Sequence, residues 1–523
     1  MLTPSLAPTI LVPNSRGNIR KRRVTIQVRA QVLYFFQLHK ILAAMLERPD
    51  LSKLSVAEKD TLIVGLFDRL DALMQTVQKM QLRIDALEGQ LRKDSHNSHK
   101  PPSSDGFGKK APVSLRERSG RKPGGQKGHG GSTLKFAEQP DVVVNHPLRS
   151  HCDQCGQRLQ THGLTPIRRQ VFDLIKPVVQ VTEHRGFETH CTCGKHHRSS
   201  FPVEAAAPVQ YGPVIKGTLV YLTQQQLLPT ARTAQLVEDL FGVKLSTGTV
   251  QTCIGQAAQR LTLSYKQIAQ AIRLAPVVHF DETGQRAKAR LRWLHVASTP
   301  KLTWYFAHDK RGQLAMDAAQ ILPGFKGVAV HDGWGSYRDY DCVHALCNAH
   351  HLRELIYLEQ STEQPWTRKM IDFLRTGKKA ADKAKCDGIP ITPKRLRYFR
   401  RSYDAILSEG EKDNPLSSIR MGARGRVKQK PAVNLLRRLR KHTDDVLRFL
   451  TDLTVPFDNN QAERDIRMPK LKQKTSGCFR TLAGADAFAV IRTYVATLRK
   501  QKRNVFEALT GVFRDQITDP VVA

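Results

Sequence analysis

Two short apolar strands, each followed by an aspartate, are the feature that most constrains the fold of this 523-residue chain. The first covers residues 277–280 and is followed by Asp281 and Glu282, and the second covers residues 328–330 and is followed after one histidine by Asp332. A carboxylate at the end of a buried strand is costly to desolvate unless a positive charge compensates, and a divalent metal ion commonly does so. The repeated pattern therefore predicts a metal site at the ends of these strands.

A third acid, Glu463, lies in a segment that predicts the start of a helix. Two strand-end aspartates and a helical glutamate can share two Mg²⁺ ions roughly 3.5–4 Å apart, a pair suited to in-line attack on a phosphodiester. The residues alone leave two choices open. Asp281 and Glu282 face opposite sides of a strand, so either can be the ligand, and Asp458 competes with Glu463.

The order of elements around these acids predicts a ribonuclease-H-like core. Three strands suited to an antiparallel meander precede a helix and a further parallel strand. The predicted elements are strands at 277–280, 291–297, 302–307 and 328–330, and helices at 312–322 and 344–359. The third acid comes so late that a basic, helical insertion must separate it from the strands.

The charge of the chain predicts a polyanionic partner. Lys and Arg number 83 against 47 for Asp and Glu, which gives a net charge of +36. A ribosome-like or membrane-surface protein is the alternative, but no basic amphipathic anchor is visible, and His39 and Lys40 interrupt the most apolar early segment. Nucleic acid is thus the expected partner, with binding that weakens as salt rises.

A heptad pattern predicts a coiled coil near the N-terminus. Apolar residues recur seven apart in two series offset by three, which is an a/d seam. The series are Ile63, Leu70, Val77, Ile84 and Leu91, and Leu66, Leu73, Met80 and Leu87. We expect the seam to pair at least two subunits; the alternative is a helix packed within its own chain.

A long Pro- and Gly-rich basic segment follows the heptads and excludes regular structure. It predicts a linker, or an arm that becomes ordered on DNA, with Arg121, Lys122 and Lys127 as candidate phosphate contacts.

Four clustered cysteines predict a structural zinc site. Cys152 and Cys155 form a CxxC pair followed by Gly, and Cys191 and Cys193 form a tighter CxC pair. Because the second pair is tight, a histidine can replace one thiolate, the candidates being His184, His190, His196 and His197. Strands are expected between the pairs, at residues 171–181. The remaining cysteines are scattered, which favours a reduced protein over a disulfide framework.

Residues 230–259 follow the rhythm of a helix-turn-helix. A helix at 230–240, a turn containing Gly242, and a second helix capped by Ser246 predict either this motif or an ordinary helical hairpin. In a helix-turn-helix, Lys244, Thr247, Thr249 and Gln251 would face a DNA groove.

The predicted fold class is multidomain, α plus α/β. It comprises a coiled-coil segment, a small zinc-binding β domain, a helix-turn-helix-like region and a ribonuclease-H-like core with a helical insertion before the third acid. The expected boundaries are 1–50 (basic, low-information), 51–95 (coiled coil), 96–140 (linker), 141–208 (zinc), 209–275 (helix-turn-helix-like), 276–355 (core, first part), 356–455 (insertion) and 456–523 (core, second part).

Several motifs in this order resemble the insertion sequence 66 (IS66) family of transposases, the TnpC type with a DDE site. The resemblance covers roughly residues 60–510 and is carried by blocks at 98–105, 124–129, 281–283, 332–337, 347–354, 458–464 and 472–477, together with the cysteine pairs.

The resemblance implies an enzyme that binds element ends, hydrolyses a phosphodiester to expose a 3′-OH and joins that 3′-OH to target DNA. It selects Asp281, Asp332 and Glu463 as the triad for two Mg²⁺ or Mn²⁺ ions. It also implies a homo-oligomer that pairs both ends, and small accessory proteins as partners. Two other readings are a DNA-binding protein that has lost an acid, although all three are present, and a nuclease that cuts without joining.

Basic residues on and after the predicted helix of Glu463 are the candidate DNA contacts near the triad: Arg464, Arg467, Lys470, Lys472 and Lys474. Pro469 is expected to end that helix before Lys470. Cys347 and His350 form a CxxH pair with no assigned role, and Trp334 is expected to form a wall of the site.

Overall fold

The computed structural model describes residues 51–91, 136–146, 148–159, 167–173, 179–202, 205, 207–416, 427 and 429–522. The chain forms two compact units that divide between Gln90 and Leu91, and each is treated by itself. Residues 1–50, most of the predicted linker, and the candidate contacts Arg121, Lys122 and Lys127 lie outside the described residues.

In the described part of the first unit, the long helix α1 (Val56–Leu91) includes the whole heptad segment and ends at the boundary between the units. Ser55 begins it with a capping box, in which the Ser55 backbone N–H donates to Glu58 at 2.8 Å. The seam is exposed along its length, from Ile63 at 50% to Leu87 at 46%. A seam of this length exposed to water is expected to bury itself against a partner.

The described residues between 136 and 202 carry little regular structure. They include one short antiparallel hairpin, made of β1 (Glu188–His190) and β2 (His196–Arg198). The strands predicted at 171–181 are wrong where the structure describes this stretch, because residues 171–173 and 179–181 are not in strands. Alternation alone does not make a strand when no neighbouring strand completes its hydrogen bonds.

A helical region precedes the main sheet, and its helices begin and end close to the predicted residues. The Ser246 side chain caps the second helix of the predicted pair by accepting from the Thr249 N–H at 3.0 Å, and Gly242 ends the first at a φ of 69°. The helices are α2 (Pro213–Val220), α3 (Thr230–Phe241), α4 (Thr247–Arg260) and α5 (Thr262–Arg273).

Five strands form the main sheet: β3 (Val277–Ala287), β4 (Arg290–Ser298), β5 (Thr303–His308), β6 (Val328–His331) and β7 (Val343–Leu346). Their order across the sheet is β5-β4-β3-β6-β7. β3, β4 and β5 are antiparallel, whereas β6 and β7 are parallel to β3 and to each other. The helix α6 (Gln313–Ala319) crosses from the meander to β6.

Two features of the sheet differ from the prediction. β3 continues past Asp281 to Ala287, because β4 pairs with it along its length. Residues 343–346 form β7 rather than the start of a helix, since the edge of β6 offers hydrogen bonds to this short apolar run. The helix that follows, α7 (Asn348–Thr362), begins at the end of that strand.

The predicted helical insertion lies between α7 and Glu463. Trp366 is fully buried at its centre, in a core that includes Tyr403 and Leu439. Basic side chains on its surface pair with acids, as Arg440 does with Asp404 at 3.0 Å. Its helices are α8 (Pro365–Asp387), α9 (Pro393–Asp413), α10 (Pro431–Lys441) and α11 (Thr443–Thr451).

Three helices complete the chain: α12 (Asn460–Thr475), α13 (Leu482–Lys500) and α14 (Val505–Val512). α13 packs on the sheet and on α4, where Tyr494 and Val250 share one core. Among the helices that the structure describes, none is long and apolar enough to cross a membrane.

Candidate active site

The register of the parallel strands brings Asp281 and Asp332 together. Val277 pairs with Val328 and His279 with Val330. Two residues further along each strand, Asp281 is level with Asp332, and side chains at level positions of parallel strands face the same side. Both carboxylates are half-buried. The pairing between β3 and β6 therefore places both acids side by side at the C-terminal end of β6, between the inner strands of the sheet.

Asn459 fixes the start of α12 beside β3. Its side-chain amide donates to the Phe280 carbonyl at 2.8 Å, its amide oxygen lies 2.9 Å from His279 Nδ1, and its backbone N–H donates to Cys347 Sγ at 3.1 Å. Glu463 lies one helical turn further on, where its N–H bonds to the Asn459 carbonyl. This buried asparagine positions the third acid, and sequence reasoning assigned it no role although it lies in the block containing Glu463.

The pKa of the Asp281 carboxyl is raised to about 8 by burial and by the neighbouring acids. Burial is the largest cause, followed by the charge of Glu282, and the charges of Asp332 and Glu463 contribute less. The Glu282 N–H, which donates to Asp281 at 2.8 Å, acts in the opposite direction. The three predicted acids thus lie within electrostatic reach of one another.

The three acids have the donor chemistry of a site for a hard divalent cation, although their carboxylate oxygens do not all lie within 4.8 Å of one another. All three acids offer carboxylate oxygens, the ligands that Mg²⁺ and Mn²⁺ prefer. Glu463 Oε1 is buried and accepts no hydrogen bond from the described residues. A cation at this position would stabilise the ionised carboxylates that the buried site otherwise disfavours.

The two alternatives left open by the sequence have other partners. Glu282 has both oxygens occupied, Oε1 by Arg311 at 2.7 Å and Oε2 by the Tyr337 hydroxyl at 2.6 Å. Asp458 accepts the Asn460 N–H at 3.0 Å at the start of α12. The occupied oxygens of Glu282 favour Asp281 as the ligand, whereas the bond to Asp458 occupies one oxygen only, as the Glu282 N–H does on Asp281.

α7 forms a wall against Glu463. Its Arg353 and His350 lie 3.6 Å from the two oxygens of that carboxylate. Donor atoms of Cys347, His350 and Glu463 all lie within 4.8 Å of one another, the one such metal-binding group in the described part of the chain. Burial raises the pKa of the Cys347 thiol to about 12, which disfavours the thiolate that a metal requires.

The predicted DNA contacts on α12 divide into exposed and buried residues. The helix continues through Pro469 to Thr475, so the predicted end at Pro469 is wrong. Arg467, Lys470 and Lys474 are exposed and follow Glu463 at four, seven and eleven residues, which places them on its face of the helix. Arg464 is also exposed, one position outside this row.

Lys472 does not fit the predicted role of a DNA contact, because the structure buries it. Its amine lies 3.9 Å over the Phe479 ring and bonds to Ser476 Oγ at 3.3 Å. Burial lowers the pKa of this amine to about 8. The core packing around the end of α12, which sequence spacing does not reveal, decides this position.

The candidate groove-facing residues cluster at the start of α4. Lys244, Thr247 and Gln251 are exposed, and Thr249 is half-buried beside Ser246. The opposite face of α4 packs against α13. A helix held to the core by one face and polar on the other is compatible with both the helix-turn-helix and the hairpin interpretation.

The two cysteine pairs form similar tight turns. Gly156 and Gly194 follow them at φ values of 72° and 84°. The Cys155 N–H contributes most to lowering the pKa of Cys152, and the Cys193 N–H does the same for Cys191. The four sulfurs are not gathered around one point, since they belong to no group of close ligand atoms in the described residues.

The candidate histidines lie beside the second cysteine turn. His190 and His196 face each other across β1 and β2 with ring centroids 4.7 Å apart. His196 Nε2 also lies 3.4 Å from Glu188. His184 and His197 are exposed.

Comparison with known proteins identifies the family of the chain. Residues 46–135 match a family of unknown function, DUF6444. The uncharacterized protein y4hP of Sinorhizobium fredii (strain NBRC 101917 / NGR234) is 24% identical over 408 residues, 69% of each chain. The uncharacterized protein y4jD of the same strain is 22% identical over 401 residues, 69% of this chain and 73% of its own. Residues 208–487, more than half of the chain, match the Transposase IS66 family, and the protein belongs to that family.

Proposed function

We propose that this transposase cuts and joins DNA at the Asp281, Asp332 and Glu463 site. The observation that carries the proposal is geometric: the register of β3 and β6 sets Asp281 level with Asp332, and Asn459 bonds the start of the helix of Glu463 to β3. The strand order β5-β4-β3-β6-β7 supports a ribonuclease-H-like core.

In the proposed reaction, a water oxygen attacks the phosphorus at an element end, which releases a 3′-OH and leaves a 5′-phosphate. The 3′-OH oxygen then attacks a target phosphodiester, and a target 3′-OH departs. Bound metal ions would supply charge stabilisation for the attacking and leaving oxygens. The three acids would hold these ions.

The surrounding residues have separate roles in this proposal. Asn459 holds α12 so that Glu463 stays beside β3. Arg353 balances the charge of Glu463 and keeps its carboxylate oriented. The exposed side chains of Arg467, Lys470 and Lys474 would bind phosphates leading away from the site. The helix rises roughly 16 Å from Glu463 to Lys474 at about 1.5 Å per residue.

The other segments serve assembly and recognition in this proposal. The exposed seam of α1 pairs two or more copies, the polar face of α4 contacts the element ends, and the cysteine turns bind a structural Zn²⁺ when they come together. Small accessory proteins of the same element are further expected partners.

The test is incubation of a labelled DNA fragment from an element end with Mg²⁺ and a plasmid, scored for cut and joined products. Asp332→Asn should abolish both products and leave binding to the fragment intact. Asp341→Asn is the matched control, because Asp341 lies nearby but is fully exposed. Cleavage retained in Asp332→Asn contradicts the assignment, and cutting without joining by the wild type identifies a nuclease instead.

A further inference from the structure

The buried carboxylate of Glu282 holds one arginine rigidly on the face of β3 opposite to Asp281, with Glu282 itself within electrostatic reach of Asp332. Arg311 follows β5, and its Nε and Nη2 approach the same Glu282 oxygen at 2.8 and 2.7 Å. The other oxygen accepts the Tyr337 hydroxyl at 2.6 Å. The Glu282 side chain is 2% exposed, whereas that of Arg311 is 38% exposed. The anchor is therefore buried and the cation reaches solvent.

Two tryptophans complete the support of this guanidinium. Its central carbon lies 4.1 Å from the Trp334 ring centroid and 5.0 Å from that of Trp293. Cation–π stacking fixes the plane of the group as well as its position. The hydrogen bonds and the ring contacts together leave Arg311 little rotational freedom.

The support is built from the immediate neighbours of both aspartates. Glu282 follows Asp281 in β3, and the Trp334 N–H donates to Asp332 Oδ1 at 2.9 Å. Arg311 contacts Glu282 and Trp334, one from each pair. The guanidinium is thus linked to Asp281 through Glu282 and to Asp332 through Trp334.

The remaining nitrogen of the Arg311 guanidinium, Nη1, has no acceptor among the residues that the structure describes. A buried ion pair is a poor way to stabilise a fold, since apolar residues of similar size serve as well. A fourth carboxylate next to three others is a further cost. The arrangement makes sense if the fixed cation has a ligand of its own.

The geometry points to Arg311 as a binding residue for a phosphate of the DNA strand in the active site. The planar fork of an arginine suits the non-bridging oxygens of a phosphodiester, and Glu282, Tyr337 and Trp334 act as its positioning residues. This inference rests on the proposed function of the site and adds to it the group that receives the anionic backbone.

The variants must remove the cation without leaving Glu282 buried and unpaired. Arg311→Gln alone would leave the Glu282 carboxylate buried without its cation and is therefore expected to destabilise the fold. The double variant Glu282→Gln/Arg311→Gln replaces the ion pair by two neutral amides. The matched control is Arg260→Gln/Asp515→Asn, because Arg260 is also 38% exposed, pairs with Asp515 at 2.7 Å and lies 5.9 Å over the Phe513 ring.

The probe is a 40-base-pair duplex spanning the junction of an element end, with one neutral methylphosphonate at each of five phosphates around the terminal bond. Binding is measured without divalent metal, after circular dichroism confirms folding. At one of the five modified phosphates, the wild type and the control should bind about tenfold more weakly than they bind the unmodified duplex. The double variant should bind unmodified DNA about tenfold more weakly and lose nothing more at that position.

Cleavage of the same duplex with Mg²⁺ separates this inference from the proposed function. The double variant should cut at least about a hundredfold more slowly at saturating DNA, the usual cost of removing one charge-stabilising donor. An equal methylphosphonate penalty in wild type and double variant at every position overturns the role of Arg311, even if the wild type cuts. An Arg311-dependent penalty in a wild type that never cuts supports the phosphate contact and refutes the transposase site.

Discussion

Replacing Asp281 by asparagine should stabilise the metal-free protein while abolishing its chemistry. The pKa of this carboxyl is about 8 in the folded chain against an ordinary value of 3.8, because of burial, Glu282, Asp332 and Glu463. For an acid with a raised pKa, the folded state retains a proton between pH 4 and 8 that the unfolded state has lost. Stability therefore falls as pH rises through this window.

The expected size follows from about 1.4 kcal/mol per pH unit. At pH 7, which is 3.2 units above 3.8, the folded state is destabilised by at most about 4 kcal/mol. At pH 5 the same sum gives about 2 kcal/mol. Water reaching the half-buried carboxylate lowers both values. The advantage of Asp281→Asn over wild type should thus increase about 2.5-fold from pH 5 to pH 7.

The measurement is urea unfolding in Mg²⁺-free buffer at pH 5, 6 and 7, followed by tryptophan fluorescence. Buried Trp304 reports the core around the sheet. Adding Mg²⁺ should stabilise the wild type and leave the variant almost unchanged. Asp341→Asn, at an exposed acid, is the control for loss of one charge. Parallel pH curves for wild type and Asp281→Asn would refute the reasoning that these acids crowd one another.

Two further predictions concern α1 and α12. Leu73→Arg places a charge in the exposed seam and should reduce the fraction of oligomer measured by analytical ultracentrifugation. Gln75→Arg, which lies off the seam, should not reduce it. Equal fractions of oligomer in the two variants would contradict pairing through α1. Lys472→Met should raise the free energy of unfolding by about 1–3 kcal/mol at pH 7, because the buried amine has its pKa lowered to about 8. That gain should disappear between pH 8 and 10.5, where the unfolded lysine also loses its charge, and DNA affinity should not change; a weaker complex would restore Lys472 as a DNA contact.

Local rules predicted much of the fold from sequence. The caps at Ser246 and Gly242 bounded α3 and α4, and the heptads gave the length of α1, because these patterns act within one or two helical turns. The apolar runs before Asp281 and Asp332 predicted the strands β3 and β6, because such a run is also a pattern of neighbouring residues.

Features that depend on a partner elsewhere in the chain escaped prediction. Residues 343–346 form a strand only because β6 lies beside them. Pro469 remains inside α12, where it is buried in the helix rather than ending it. Lys472 is buried because Phe479 and Phe488 lie beside its amine.

The sequence by itself determined which acids, cations and helix ends this transposase carries. Only the tertiary structure decided which groups these residues contact. Asn459 bonds the start of the helix of Glu463 to β3, and the carboxylate of Glu282 pairs with Arg311. The physical reason is range. Caps and heptads act between residues close in sequence, whereas burial and charge act between whichever groups the fold brings together.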